Sequence, residues 1–390
     1  MKQTIVVLSS TRAEYGLLRP VIKKLNASDY FEVRILVTGA HLSNAFGLTV
    51  REIEDDGYII DKKVSILLQG DSSGCISKSM GLALIGFGEY FDDRRPDFLI
   101  VLGDRYETLA VCCAAMNARV PIIHLHGGET TEGAIDEAIR HSITKMSLYH
   151  FTSTEEYRKR VIQLGESPEN VFNVGATGVE NVLKEPKYKK EELECKIGMK
   201  LDRPYGVVTF HPVTLEGNCI EQCKVVMQSM SRFNDFPFII TGANADCGGK
   251  EINRMLQLYA DENDNICFVQ SLGMKGYLSA LEYASFVMGN SSSGIIEAPS
   301  FGIPTINIGN RQKGRIQART VINCRAEVED IVRAINLAMS TEFQCFAKKQ
   351  KNPYGDGNTS DRILNILEER VKKENIDLKK SFYNLNFEIV

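Results

Sequence analysis

Ala284-Ser285-Phe286-Val287-Met288-Gly289-Asn290-Ser291-Ser292-Ser293-Gly294-Ile295-Ile296-Glu297 is the stretch that decides the fold. Ala284 to Met288 is apolar and reads as a buried strand. A short helix follows, ended by Pro299 and Gly302. The polar turn between them offers backbone N–H groups, hydroxyls and a helix start, all suited to a phosphate. Glu297 stands about one helical turn beyond the serines, where a carboxylate reaches ribose hydroxyls. A plain serine N-cap is the bland alternative. Asn290, Ser291, Ser292, Ser293 and Glu297 are therefore candidate nucleotide ligands.

The same rhythm runs outward in both directions. Upstream, apolar runs at Ile5–Leu8, Val33–Val37, Phe98–Leu102, Ile122–Leu125 and Tyr149–Thr152 alternate with amphipathic segments such as Tyr15–Leu25, Glu107–Ala118 and Ile135–Met146. A charged stretch, Lys184 to Lys200, interrupts it and reads as a linker with a solvated helix. Strands then restart at Gly206–Phe210, Phe238–Thr241, Ile266–Val269, Phe286–Met288 and Thr305–Ile308. The expected class is α/β, with two doubly wound, Rossmann-like domains facing a cleft and joined near residue 184. From Ile331 the chain reads as mostly helical, and the tail Lys379–Val390 as poorly anchored.

A length of 390 residues exceeds one ordinary core and suits two such domains. The net charge of −4, without a long basic block, argues against nucleic acid as the main partner. No apolar stretch approaches the ~20 residues that span a bilayer. The apolar run after Thr4 is too short for a signal peptide, so a cytoplasmic protein is expected. Its ten cysteines then read as reduced thiols. Cys219 and Cys223 alone have ligand-like spacing, and no His or Cys pair completes a zinc site. No metal is expected. Cys112-Cys113 read as core.

Candidate functional residues cluster after the strands. Arg12 follows the first strand at a helix start, where a cation opposes the helix dipole, so a diphosphate ligand would explain it. Asp104 and Arg105 end the apolar strand Phe98–Leu102; an N-cap Asp beside a solvated Arg is the alternative. Glu107 reads as a helix-start carboxylate. Strand alternation places His124 and His126 on one face. With Glu129, Asp136, Glu137, Arg140 and His141 they form a dense titratable segment suited to acid–base work. Asp136 with Arg140, and Glu137 with His141, are helical i, i+4 neighbours. His211 ends the first strand of the second domain and can bond a phosphate or protonate a leaving oxygen. Gly309-Asn310-Arg311-Gln312-Lys313-Gly314-Arg315 is either a solvated loop or an anion clamp through Arg311 and Arg315. Thr241, at another strand end, joins the substrate-binding candidates.

Taken together, Thr11-Arg12-Ala13-Glu14-Tyr15-Gly16, Gly39-Ala40-His41, Gly103-Asp104-Arg105-Tyr106-Glu107, His124-Leu125-His126-Gly127-Gly128-Glu129, Ile139-Arg140-His141-Ser142-Ile143-Thr144-Lys145-Met146, Phe210-His211-Pro212, Asn290-Ser291-Ser292-Ser293-Gly294 and Arg311-Gln312-Lys313-Gly314-Arg315 resemble the hydrolysing UDP-N-acetylglucosamine 2-epimerases. The resemblance spans roughly residues 1 to 375 and is nearest to the bacterial branch that starts sialic acid synthesis. The non-hydrolysing relatives carry a proline and a glutamine where this chain has Ala13 and Ala40. The family's animal branch has a glutamate where this chain has His126.

The resemblance implies a glycosyltransferase-B type architecture. Residues 1–183 would carry the sugar chemistry, residues 184–365 would bind UDP, and a helix and tail over 366–390 would return to the first domain. It implies elimination of UDP from UDP-N-acetylglucosamine, with loss of the C2 proton, to a 2-acetamidoglucal. Water then adds to give N-acetylmannosamine. No cofactor is needed. Asp104, Glu129, Asp136, His211 and His126 would be catalytic. The partner is a nucleotide sugar, and a homodimer or homotetramer is expected. Three alternatives stay open: the same reaction on a UDP- or GDP-linked 2,4-diacetamido-2,4,6-trideoxyglucose, a retaining glycosyltransferase of the same fold, and an inactive sugar-nucleotide sensor.

Overall fold

A computed structural model of the chain describes residues 2–68, 70, 72–131, 135–212, 219–243, 249–372 and 376–386. Glu132, Gly133 and Ala134 of the titratable segment, Cys247, and the last four residues of the tail lie outside the described residues. The chain divides into two compact units. One comprises Met1–Glu129, Ile135–Asn181 and Tyr354–Val390; the other comprises Thr130–Ala134 and Val182–Pro353.

The first unit runs β1 (Gln3–Ser9), α1 (Arg12–Asn26), β2 (Phe31–Thr38), α2 (Val50–Asp55), β3 (Ile60–Val64), α3 (Ser73–Asp93), β4 (Phe98–Leu102), α4 (Tyr106–Asn117), β5 (Ile122–Leu125), α5 (Ile135–Met146), β6 (Tyr149–Thr152), α6 (Glu155–Gln163) and β7 (Val171–Asn173), with α7 (Thr177–Lys184) leading out. Its seven strands are all parallel, in the order β3-β2-β1-β4-β5-β6-β7. Helices cover both faces, so the central strands are apolar on both sides. Ile5, Val7 and Ile100 pack beneath Leu18 and Leu25 on one face. Val6, Leu99 and Val101 pack beneath Phe87 and Val111 on the other.

The second unit runs α8 (Lys190–Ile197), β8 (Gly206–Thr209), α9 (Cys219–Met230), β9 (Phe238–Thr241), α10 (Gly249–Asp261), β10 (Ile266–Val269), α11 (Gly273–Tyr283), β11 (Phe286–Gly289), α12 (Ser292–Ile296), β12 (Thr305–Ile308), β13 (Val321–Cys324), α13 (Val328–Met339) and α14 (Thr341–Ala347). Its six parallel strands lie in the order β10-β9-β8-β11-β12-β13. Both units are thus doubly wound, as the strand–helix rhythm predicts.

The last helix, α15 (Thr359–Lys372), belongs to the first unit, where Ile363 and Leu367 enter the core that holds Leu18, Val21 and Ile22 of α1. The buried Glu180 carboxylate accepts the N–H and hydroxyl of Ser360 and so caps the start of α15 from α7. The tail beyond it is anchored, against expectation. Lys380 Nζ donates to the carbonyls of Lys145 and Ser147, which end α5, and pairs with the buried Glu166. Tyr383 N–H donates to Gly165 O, and the Phe382 ring lies under Lys145. One lysine and one aromatic outweigh the low apolar content from which a loose tail is predicted.

Doubly wound sheets bind ligands where strand order reverses, at the strands' carboxyl ends. In the first unit the reversal lies between β1 and β4; in the second it lies between β8 and β11. Arg12 and Asp104 follow one pair, His211 and Asn290 the other. Gly289 makes the second crossing possible. Its φ is +135°, and a Cβ there would stand 1.9 Å from Thr209 O.

Candidate active site

In the first unit, Arg140 of α5 organises the titratable segment. It is 1% exposed. Its guanidinium pairs with the Asp104 carboxylate beyond β4, donates to Glu129 O at 2.7 Å and pairs with Glu137 at 2.7 Å. One buried fork thereby ties the ends of β4 and β5 to α5. The Asp136–Arg140 pair expected from i, i+4 spacing does not form: Arg140 turns to Glu137 and Asp104. Asp136, half-buried in the first turn of α5, has no hydrogen-bond partner among the described residues. The Glu137–His141 pair does form, at 3.3 Å.

The two histidines of β5 part company. His124 lies in the strand, fully buried, and its Nε2–H donates to Gly103 O at 2.8 Å while Nδ1 accepts from Thr144. Burial lowers its pKa to about 3, so it is a neutral brace beneath Asp104. His126 lies past the strand end with φ +65°, in the left-handed region that non-glycine residues seldom occupy. Strand alternation ends at Leu125, which is why the same-face expectation fails. His126 Nδ1 lies 2.9 Å from Glu129 Oε1, and Ser153 Oγ–H donates to that same oxygen at 2.8 Å. Thr177 Oγ1 stands 3.5 Å from His126 Nε2. Backbone strain of this kind gathers at functional sites.

Arg12 is the first residue of α1, after the N-cap Thr11, and pairs with Glu52 of α2 at 2.8 Å. Both side chains are 45% exposed. This internal carboxylate offsets the unfavourable dipole, so the dipole argument no longer requires a ligand by itself. Asp104 is not an N-cap: Arg105 holds that position for α4, and its Nε donates to Glu107.

In the second unit, Asn290 brackets His211. Its Oδ1 accepts His211 N–H at 2.7 Å and its Nδ2 donates to His211 O at 2.8 Å. Arg311 and Gln312 both donate to Asn290 O, at 3.0 and 2.8 Å. Strand ends β8, β11 and β12 are thereby locked together. Asn290 is 1% exposed, so its side chain serves the frame. His211 is 7% exposed, and burial, reinforced by the Arg311 charge, lowers its pKa to about 3. It is neutral at pH 7 and can donate a hydrogen bond. The proton-donating role read from sequence is disfavoured here by that desolvation.

Ser291 is the N-cap of α12 and accepts Ser293 N–H at 3.3 Å; Ser292 opens the helix. α12 has only five residues, so its dipole is small, and hydroxyls and N–H groups carry the anion affinity. Ser293 donates to Glu297, whose carboxyl is pushed up by burial and pulled down by that bond. Thr241 and Thr209 share a hydroxyl hydrogen bond at 2.6 Å. Arg315 is half-buried in the turn after β12. Ser153 and Tyr277 are not among the residues that the sequence singles out. The Tyr277 hydroxyl is buried near Ser293, Thr209 and Glu297. Such residues carry no signal until the chain folds.

Residues 23–368 match the family model described as UDP-N-acetylglucosamine 2-epimerase. The Escherichia coli polysialic acid biosynthesis protein P7 is 42% identical over 98% of this chain and 97% of its own length. A Campylobacter jejuni protein named GDP/UDP-N,N'-diacetylbacillosamine 2-epimerase (hydrolyzing) is 42% identical over 88% of this chain and 89% of its own. The crystal structure of the Neisseria meningitidis UDP-GlcNAc 2-epimerase bound to UDP-GlcNAc superposes with a TM-score of 0.81. It covers 94% of this chain and 100% of that one at 18% identity, a likeness of fold.

Proposed function

Because the chain belongs to the UDP-N-acetylglucosamine 2-epimerase family, we propose that it is a hydrolysing 2-epimerase acting on UDP-N-acetylglucosamine. Loss of the C2 proton and departure of UDP from C1 give 2-acetamidoglucal. Addition of water across the double bond gives N-acetylmannosamine, for sialic acid synthesis. The observation that carries the reading is the Arg140 fork, which gathers Asp104 and the Glu129 segment at adjacent strand ends. With Asp136 unpaired among the described residues, that cluster offers more than one carboxylate for proton removal and return. His126 and Glu129 form a second proton-handling pair.

In this reading the second unit holds UDP through Ser291, Ser292, Ser293, Thr241 and Glu297, with Arg311, Arg315 and His211 toward the phosphates. Asn290 frames them. Arg12 and Arg105 are substrate ligands of the first unit. The enzyme is taken as cytoplasmic and as a homodimer or homotetramer, which cell fractionation and light scattering test. Incubation with UDP-N-acetylglucosamine in deuterated water is the decisive experiment. Free N-acetylmannosamine deuterated at C2, released with UDP, is expected. An epimerised sugar still bound to UDP sinks the hydrolysing assignment.

A second reading is favoured by the name of the Campylobacter relative. The substrate would be a UDP- or GDP-linked 2,4-diacetamido-2,4,6-trideoxy sugar and the reaction the same. Parallel assays with both sugars decide it, because recognition at C4 and C6 is a matter of pocket shape.

A further inference from the structure

The roles above leave two buried carboxylates unused. Glu14 of α1 is 5% exposed and Glu107 of α4 is 1% exposed. They stand just past β1 and β4, the neighbouring strands where order reverses. Glu14 Oε2 accepts both the N–H and the hydroxyl of Ser10, each at 2.7 Å. Its Oε1 is buried without a hydrogen-bond partner. Glu107 Oε1 accepts from Arg105, and its Oε2 is likewise buried and unpartnered. Gly39, with φ +58°, closes the cluster. A Cβ there would lie 2.9 Å from Ser10 O and 3.4 Å from Glu107 Oε1.

The charge balance of this cluster is uneven. The charged groups acting on Glu14 are Glu107 and Arg105. Tyr106 adjoins that pair, and His41, whose N–H donates to Ser10 O, is kept neutral by burial. Arg105 is already bonded to Glu107. Two buried carboxylates against one cation leave a surplus negative charge, which is costly. A proton on Glu14 Oε1 removes the surplus. It leaves Oε2 accepting from Ser10 and turns an orphaned acceptor into a donor. Burial, with Glu107 adding to it and Ser10 opposing, pushes this carboxyl up to about 7.

We propose that Glu14 works as a neutral acid, and that its proton holds the Ser10–Arg12 turn and Arg105 in the arrangement that receives the sugar nucleotide. The inference rests on the function proposed above. Glu14 is a positioning residue. Once ionised, it competes with Glu107 for Arg105 and repels it, so substrate affinity falls while the chemical step is untouched.

The test compares the full-length protein with Glu14→Gln in thermal unfolding and in kinetics with UDP-N-acetylglucosamine, from pH 5 to 8.5. A carboxyl whose folded value is raised stabilises the fold at low pH, and that contribution is lost as pH rises from 4.5 to about 7. The wild-type Tm should therefore decline over that window relative to Glu14→Gln, whose amide is neutral throughout. Wild-type KM should rise by up to about tenfold per pH unit above 7. Glu14→Gln should hold its KM flat, with kcat following wild-type at each pH. Equal pH slopes for the two proteins, in Tm and KM alike, overturn the proposal. If Glu14→Gln does not fold, Glu107→Gln replaces it: removing the charge that helps to hold the Glu14 carboxyl up should end the Tm decline at lower pH than in the wild type, and an unmoved decline overturns the proposal. A protein that turns over no sugar nucleotide refutes the proposed function, while the Tm comparison still decides the state of Glu14.

Discussion

Arg140 reaches Asp104 from 36 residues further along the chain, and the pair fastens α5 to the end of β4. The arginine is buried and the aspartate a quarter exposed. Asp104 thus presents itself at a strand end with its carboxylate held in place by a fixed cation.

Replacing Arg140 by Met should therefore act twice. Breaking a buried pair on one side costs about 3–5 kcal/mol. Turnover should also fall by at least ~10²-fold, because Asp104 and the Glu129 turn lose their common support. Unfolding in urea and initial rates check the two effects. Arg140→Lys, a point charge without the fork, should recover part of the stability and little of the rate.

The two units should separate binding from chemistry. Ser292→Ala and Glu297→Gln should mainly weaken UDP binding, since those contacts serve ground and transition states alike. Asp104→Asn should lower kcat by ~10²-fold or more and leave UDP affinity nearly unchanged. Calorimetric titration with UDP beside initial rates distinguishes them. An Asp104→Asn variant with normal turnover removes that residue from the catalytic set.

The tail should be acid-sensitive. Burial alone would raise the Glu166 carboxyl, but bonds from His150, Lys145 and Lys380 bring it down to about 2. A depressed carboxyl contributes stability above 4.5 that is lost as pH falls toward 2. Amide hydrogens of residues 380–386 should be protected at pH 7 and lose protection below pH 4.5. Lys380→Met should lose it already at pH 7, at a cost of about 1–3 kcal/mol. Hydrogen exchange read by mass spectrometry measures both.

Activity should survive chelation by EDTA, because the sequence offers no convincing ligand spacing. Complete loss restored by a divalent ion would mean that the His124–Glu129 segment holds a metal.

The central strands were legible because a strand buried on both faces must be apolar, and β4, β5 and β9 match their apolar runs residue for residue. β3, β7 and β13 were not: all three are sheet edges, where a strand need not be apolar, although the fourth edge, β10, is apolar and matches its run. Ile60-Asp61-Lys62-Lys63-Val64 is half solvated and reads as loop. The candidate site was legible as residue types at strand ends, since topology alone brings those ends together. Who bonds whom was not. Spacing allowed Arg140 either Asp136 or Glu137, and the choice is made by Asp104, which is remote in sequence. Likewise Asn290 looks like a ligand in a serine-rich turn until its side chain is seen spent on the His211 backbone.

The first unit is discontinuous: α15 and the tail are its last pieces, yet they share a core with α1. On the ribosome, α1 therefore emerges long before the residues that cover Leu18 and Val21. Through most of translation that apolar face has no native cover, while the second unit, whose last residue is Pro353, is fully synthesised before α15 and can fold ahead of it. A chain terminated after Pro353 would be born with an open core, so a late nonsense mutation should produce a chaperone client, not a shortened enzyme.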